Sequence, residues 1–365
     1  MRTKTIALII GARPNFMKIA PVMRALKKRR RLKPVLIHTG QHYDPNMTDV
    51  FFNELFISRP DIYLGVGSGS QAVQTALIMT GLEKVLIEKK ADLVMVVGDV
   101  NSTIAASVVS AKLHIPVAHV EAGLRSYDRR MPEEINRIVT DVLSDYLFTT
   151  CKDANRTLLK EGIGREKIYF VGNVMIDTLR FLEKKVRSNG CVKRMKLKPQ
   201  AYTLVTLHRP SNVDNRDAFE RILSAFKTIS RSDQIIFPIH PRTLKQMKQF
   251  GLYHLIKKER ISIIDPLGYL DFMNLVVNAR CILTDSGGIQ EETTVLGIPC
   301  VTLRHNTERP ITITEGTNTL VGNDTKKIVK TFTLILKGTY KKGRIPELWD
   351  GNASERIVKI LNEKI

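Results

Sequence analysis

The sequence has little of what would staple, span or stack a protein. Its 365 residues include four cysteines, one tryptophan and 6% aromatics. Cys151, Cys191, Cys281 and Cys300 are scattered, and none stands in the paired spacing of a metal knuckle. The chain is therefore expected to depend on its apolar core and to keep its thiols reduced, as cytoplasmic proteins do. No apolar run approaches the ~20 residues that a membrane-crossing helix needs. The opening MRTKTIALIIGARPN has too short an apolar stretch for a signal peptide and breaks in a Gly-Ala-Arg-Pro turn, so it reads as a first strand. Acidic residues are scarce too, 36 against 57 Lys and Arg, which leaves a net charge of +21. Such a charge suits nucleic acid or small phosphorylated ligands. The two densest basic stretches, 27–33 and 184–198, have no interleaved aromatics and no accompanying nucleic-acid motif, which disfavours the first option. The first stretch closes a predicted helix, and the second falls in a predicted linker.

What is present is an alternation of short apolar strands and helical segments. Residues 5–10, 34–39, 93–97 and 115–119 read as buried strands, with helices over 16–31, 70–89, up to 113, and from Pro132. Glu133 and Glu134 stand in the first turn of the last of these, a standard helix start. The pattern restarts with strands at 202–207, 234–239, 261–264 and 281–283. Continuous apolar strands alternating with helices imply an α/β fold with parallel sheets covered on both faces. Length and the compositional shift around 181–199 suggest two Rossmann-like domains: 1–185, then 200–351. A terminal helix over 352–365 is expected to pack back on the first domain.

The polar clusters fall at the carboxyl ends of the predicted strands, where open α/β sheets bind ligands. The most informative is Thr284-Asp285-Ser286-Gly287-Gly288, where a strand turns directly into a helix. The unpaired N–H groups of such a helix start, with the positive end of its dipole, form an anion site that glycine leaves open. Glu291 and Glu292 follow within one turn, placed for a diol such as a ribose. A capped strand–helix turn would look the same. Arg13, Lys18, Asp99, Glu121, Glu133, Glu134, His208, His240 and Arg309 complete the set. Each has a plain structural alternative: a helix-end charge, a cap or a loop residue. Together, acidic groups at strand ends with cations and a phosphate turn suggest acid–base work on a phosphorylated ligand.

The motifs GARPNFMKIAP (11–21), TGQH (39–42), Gly98-Asp99, HVEAGLRS (119–126), PEEINR (132–137), His208-Arg209, SGGIQEE (286–292) and TERP (307–310) occur in order along nearly the whole chain. The DGNASER segment (350–356) follows them. As a set they resemble the non-hydrolysing UDP-N-acetylglucosamine 2-epimerases. The resemblance implies a glycosyltransferase B-type fold with the active site in the cleft between its domains, no cofactor and no metal. It implies a cytoplasmic enzyme of polysaccharide biosynthesis, acting as a homodimer on UDP-N-acetylglucosamine and UDP, without membrane or nucleic-acid partners. Asp99, Glu121, Glu133 and His208 match the family's catalytic positions. Arg13, Lys18, Leu267, Phe272, Ser286, Gly287, Gly288, Glu292 and Arg309 match positions that hold the nucleotide and sugar. Asn15, Pro210-Ser211-Asn212, Leu267 and Ile311 depart from the usual family residues. The alternatives are a hydrolysing epimerase or a glycosyltransferase on the same fold, or a non-catalytic nucleotide-sugar binder.

Overall fold

The computed structural model describes residues 2–41, 54–257 and 259–365. His42 of the TGQH motif lies outside the described residues, as does the side chain of Arg13. The chain forms two compact units: Met1–Phe181 with Glu347–Ile365, and Leu182–Pro346.

The first unit is built on β1 (Lys4–Ile10), β2 (Leu32–His38), β3 (Ile62–Tyr63), β4 (Leu93–Val97), β5 (Val117–Ala122), β6 (Tyr146–Thr149) and β7 (Ile168–Phe170). These strands lie in the order β3-β2-β1-β4-β5-β6-β7, and every pair is parallel. All five residues of β4 are buried, because helices cover both faces of a parallel sheet and leave no side for polar alternation. Ile9, Ile37, Val94 and Val96 pack with Ile78, Leu82 and Leu86 of the Gln71–Lys89 helix and with Ala105 and Val109 of the Asn101–Lys112 helix.

The second unit repeats the plan with β8 (Tyr202–Thr206), β9 (Gln234–Pro238), β10 (Ile261–Ile264), β11 (Cys281–Thr284), β12 (Cys300–Thr302) and β13 (Asn318–Leu320). Their order is β10-β9-β8-β11-β12-β13, again parallel throughout. Its core centres on Phe219, Phe226 and Phe237. In each sheet the chain reverses direction beside the first strand, between β1 and β4 and between β8 and β11. Such a switch point opens a crevice at the strands' carboxyl ends.

The Ala353–Lys364 helix belongs to the first unit. Both Asp177 carboxylate oxygens cap its start, accepting from Ala353 N at 3.0 Å and Ser354 N at 2.7 Å, and Lys28 pairs with Glu355 at 2.6 Å. Buried Trp349, just upstream, donates from its indole to the Thr150 carbonyl at 2.9 Å. Two local expectations are corrected. Residues 184–188 are no linker: they end the Val174–Ser188 helix, whose Leu182 and Val186 are buried while Lys184, Lys185 and Arg187 face solvent. Strand β5 runs on through Ala122 rather than ending at His119, so Glu121 lies within a strand. All four cysteines are free and buried. Among the described residues, no helix is long and apolar enough to cross a membrane.

Candidate active site

In the first unit the site is built around the β1/β4 switch point. Gly98 ends β4 with φ +69°, and a Cβ there would lie 2.8 Å from Lys18 Nζ. Glycine is what lets the ammonium rest against that turn. Lys18 is carried by the Arg13–Lys27 helix. Its Nζ meets Glu121 Oε2 at 2.5 Å, with both side chains buried. Breaking a buried pair by removing one partner costs roughly 3–5 kcal/mol, because the other charge is left in low dielectric.

Glu121 has φ +72°, a left-handed conformation that few non-glycine residues adopt. The β5–β6 register shifts between Val120 and Ala122. This bulge turns Glu121 out of the normal alternation, as bulges beside ligand sites commonly do. Asn15 steadies the neighbouring loop. Its Oδ1 accepts from Gly11 N at 3.2 Å and Ala12 N at 3.0 Å, and its Nδ2 donates to the Val97 carbonyl at 2.9 Å.

The Pro132–Leu143 helix closes this side with an inverted pattern: Glu134, Asn136, Arg137, Thr140 and Asp141 are its buried residues. Arg137 pairs with Asp99 and with Glu134 at 2.6 Å. Asn136 donates to the Asp99 carbonyl at 2.9 Å. Burial pushes the Glu134 carboxyl up. The Ser126 N–H, Arg137 and the Tyr127 N–H outweigh that and hold it below the usual range. Glu133, one position earlier, is half-buried.

In the second unit the site lies at the β8/β11 switch point. Asp285, fully buried, follows β11. Its Oδ2 accepts from the backbone N–H groups of His208 at 2.9 Å and Arg209 at 2.8 Å, and its Oδ1 lies 3.0 Å from His208 Nδ1. Burial alone would raise the Asp285 carboxyl, but the His208 charge and these donors carry it below its ordinary value. The His208 ring, 38% exposed, is thereby aimed from a fixed base with Nε2 directed away from Asp285.

Ser286 stands at the N-cap position of the Gly287–Leu296 helix without a side-chain capping bond. A Cβ on Gly287 would sit 2.7 Å from Glu308 Oε1 and 2.9 Å from an Arg309 nitrogen. The helix start therefore rests on a buried ionic chain: Glu291 to Arg309 at 2.8 Å, Arg309 to Glu308 at 2.5 Å, Glu308 to Arg304 at 2.9 Å. Glu292 is buried and accepts from the Tyr269 hydroxyl at 2.8 Å. Burial, with Glu291 beside it, pushes its carboxyl up to about 8 despite that bond. Tyr269 opens the helix Tyr269–Asn278, which carries half-buried Phe272 just after Leu267.

The sequence profile of a family described as UDP-N-acetylglucosamine 2-epimerase matches residues 24–362. The chain belongs to that family. A UDP-N-acetylglucosamine 2-epimerase of Methanocaldococcus jannaschii is 44% identical over 363 residues, covering 98% of each chain. The solved structure of a UDP-GlcNAc 2-epimerase from the same organism, in complex with UDP-GlcNAc and UDP, superposes with TM-score 0.91 at 43% identity, covering 98% of this chain and 99% of that one. A UDP-2,3-diacetamido-2,3-dideoxy-D-glucuronate 2-epimerase of Pseudomonas aeruginosa is 39% identical over 361 residues, covering 98% of this chain and 99% of the relative. The architecture is the glycosyltransferase B-type α/β fold of these epimerases.

Within this family member the first sheet edge gathers Lys18, Asp99 and Glu121, and the second gathers His208, Ser286, Gly287 and Gly288. Tyr269, which bonds Glu292, shares its helix with Phe272, and Leu267 lies two residues before that helix. Arg309 is engaged by Glu291 and Glu308. Sequence reasoning passed over Arg137, Asp285 and Glu308, the groups that fix Asp99, His208 and Arg309. Arg137 and Asp285 lay inside motifs already noted, PEEINR and the β11 turn. Their roles depend on which loop the fold brings opposite, which spacing alone does not give. Asn15, one of the departures from the family pattern noted above, makes three backbone bonds that a neutral amide can satisfy and a carboxylate, lacking a donor, cannot.

Proposed function

We propose that the chain is a cytoplasmic, homodimeric isomerase that interconverts UDP-N-acetylglucosamine and UDP-N-acetylmannosamine without net hydrolysis. The observation that carries the proposal is the buried Lys18–Glu121 pair with Arg137-bound Asp99 at one switch point, in a chain of an epimerase family. The C2 proton of the sugar is not beside a carbonyl, so no enolate can take up the charge of its removal. The workable route breaks the anomeric C–O bond, releases UDP and removes the C2 proton, giving 2-acetamidoglucal. UDP then re-adds while a proton returns to the opposite face. Oxidation state is unchanged overall, so the residues need supply only charge and protons.

The departing diphosphate is met by the N–H groups at Ser286–Gly288 and by His208, donors suited to growing negative charge; Arg13 keeps the diphosphate role that its match to the family motif implies. Asp99, Glu121 and Glu133 share the proton transfers on the two faces, with Lys18 fixing the position of Glu121. Leu267 and Phe272 border the uracil, Glu292 takes the ribose, and Arg309 supports the helix start. The glucal intermediate must be kept from water until UDP re-adds. NMR analysis of products from UDP-N-acetylglucosamine tests this directly. UDP-N-acetylmannosamine is the expected product; free N-acetylmannosamine with stoichiometric UDP would instead mark a hydrolysing enzyme.

A second reading keeps the chemistry and changes the sugar. The Pseudomonas relative, named for a diacetamido glucuronate, is nearly as similar as the archaeal one. Comparing kcat/KM for the two UDP-sugars decides between them.

A further inference from the structure

Behind the acid–base residues of the first unit lies a buried ionic chain that the proposed reaction does not itself use. His119, on β5, is fully buried. Its Nδ1 stands 2.7 Å from Asp141 Oδ1, and its Nε2 stands 2.9 Å from the Gly98 carbonyl oxygen. The carbonyl can only accept, so Nε2 carries a proton. The other carboxylate oxygen, Asp141 Oδ2, takes Arg125 at 2.7 Å and the Gly123 N–H at 3.1 Å. Arg125 continues to Glu161 at 2.6 Å. These contacts reach both proposed reacting groups: Gly98 immediately precedes Asp99, and Gly123 lies two residues beyond Glu121.

We propose that His119 is a positioning residue, held as an imidazolium that donates from both ring nitrogens. It clasps the Asp99 loop through the Gly98 carbonyl and the Glu121 bulge through Asp141. The role rests on the reading of Asp99 and Glu121 given above; the protonation of the ring does not.

The open choice is whether the proton between Nδ1 and Oδ1 sits on the ring or on the carboxyl. Burial favours the neutral acid. Against it, the Arg125 guanidinium and the Gly123 N–H both stand on the other carboxylate oxygen and favour the ionised form. A doubly donating ring also suits its neighbours. Gly98 and Glu121 both take left-handed backbone conformations, and strained turns persist only where surrounding bonds over-determine them.

The test is nitrogen-15 NMR of the full-length protein labelled at histidine, with the His119 signals assigned by their loss in His119→Gln, or in Asp141→Asn if the first variant does not fold. The expected result is two protonated ring nitrogens, each with its own bonded proton. A ring with one unprotonated nitrogen overturns the proposal. The folded variant should lose kcat by on the order of 10- to 100-fold, the scale of small misplacements of reacting groups. Its KM should stay within about threefold, since substrate contacts are untouched. Unchanged kcat would overturn the positioning role. A wild-type protein with no epimerase activity on any UDP-sugar would sink the function proposed above while the NMR result stood.

Discussion

Glu121 concentrates the account at the scale of the residue. A left-handed glutamate costs of order 1–3 kcal/mol, and this one is also buried against a lysine. Neither feature helps a strand form, and both serve to aim a carboxylate at a fixed point. Glu121→Gln should lower turnover by about 10² or more, the scale of a lost acid–base group, in protein shown to be folded by circular dichroism. Near-normal turnover would remove Glu121 from the mechanism. The acidic character of this position was legible in the sequence. Its place inside β5 was not, because the bulge arises from how β5 pairs with β6. Likewise Lys18 read as a helix-start cation or a ligand-binding group, and its contacts with Gly98 and Glu121 came only with the fold.

Among the elements, the Gly287–Leu296 helix is the one whose chemistry can be read through stability. Glu292, on its buried face, has its carboxyl raised to about 8 from an ordinary 4.5. The folded state therefore binds this proton more tightly than the unfolded chain. Its contribution is complete below about pH 4.5 and is lost as pH rises through about 8. The neutral isostere Glu292→Gln, which still accepts from Tyr269, should show a flatter decline of melting temperature between those values. The gap relative to wild type should widen toward high pH. Superimposable pH profiles for the two proteins would contradict this assignment. Strand-to-helix turns such as the start of this helix were plain in the sequence, since glycine and polar residues interrupt unbroken apolar runs. The Val174–Ser188 helix was harder to see at its end. Its exposed basic residues mask the short apolar spacing of Leu182 and Val186, and composition alone reads as a linker.

Taken whole, the molecule sets two parallel sheets of one plan into separate units, and it carries a net +21. One surface departs from that charge. The Gln71–Lys89 and Pro132–Leu143 helices both pack against the Asn101–Lys112 helix. They turn Val73, Leu77, Ile87, Ile135 and Val142 to solvent, with Ile87 at 60% and Val142 at 59% exposure. The charged side chains outside the core on these three helices are Glu83, Glu88 and Glu133 against Lys84, Lys89 and Lys112, a neutral balance. An apolar, neutral face on a strongly basic chain suits a second copy of itself, which the remaining surface would repel. Light scattering should give twice the 41.3 kDa chain mass. Val142→Lys should shift that toward the monomer. A wild-type monomer at working concentrations would rule the pairing out.

The central claim is that a sugar loses UDP and its C2 proton and regains both. It is tested most directly by running the reaction in deuterated water and examining C2 by NMR. The account predicts deuterium at C2 of the UDP-N-acetylmannosamine formed, and in time at C2 of the recovered UDP-N-acetylglucosamine. An epimerised product that keeps its original hydrogen at C2 would contradict it.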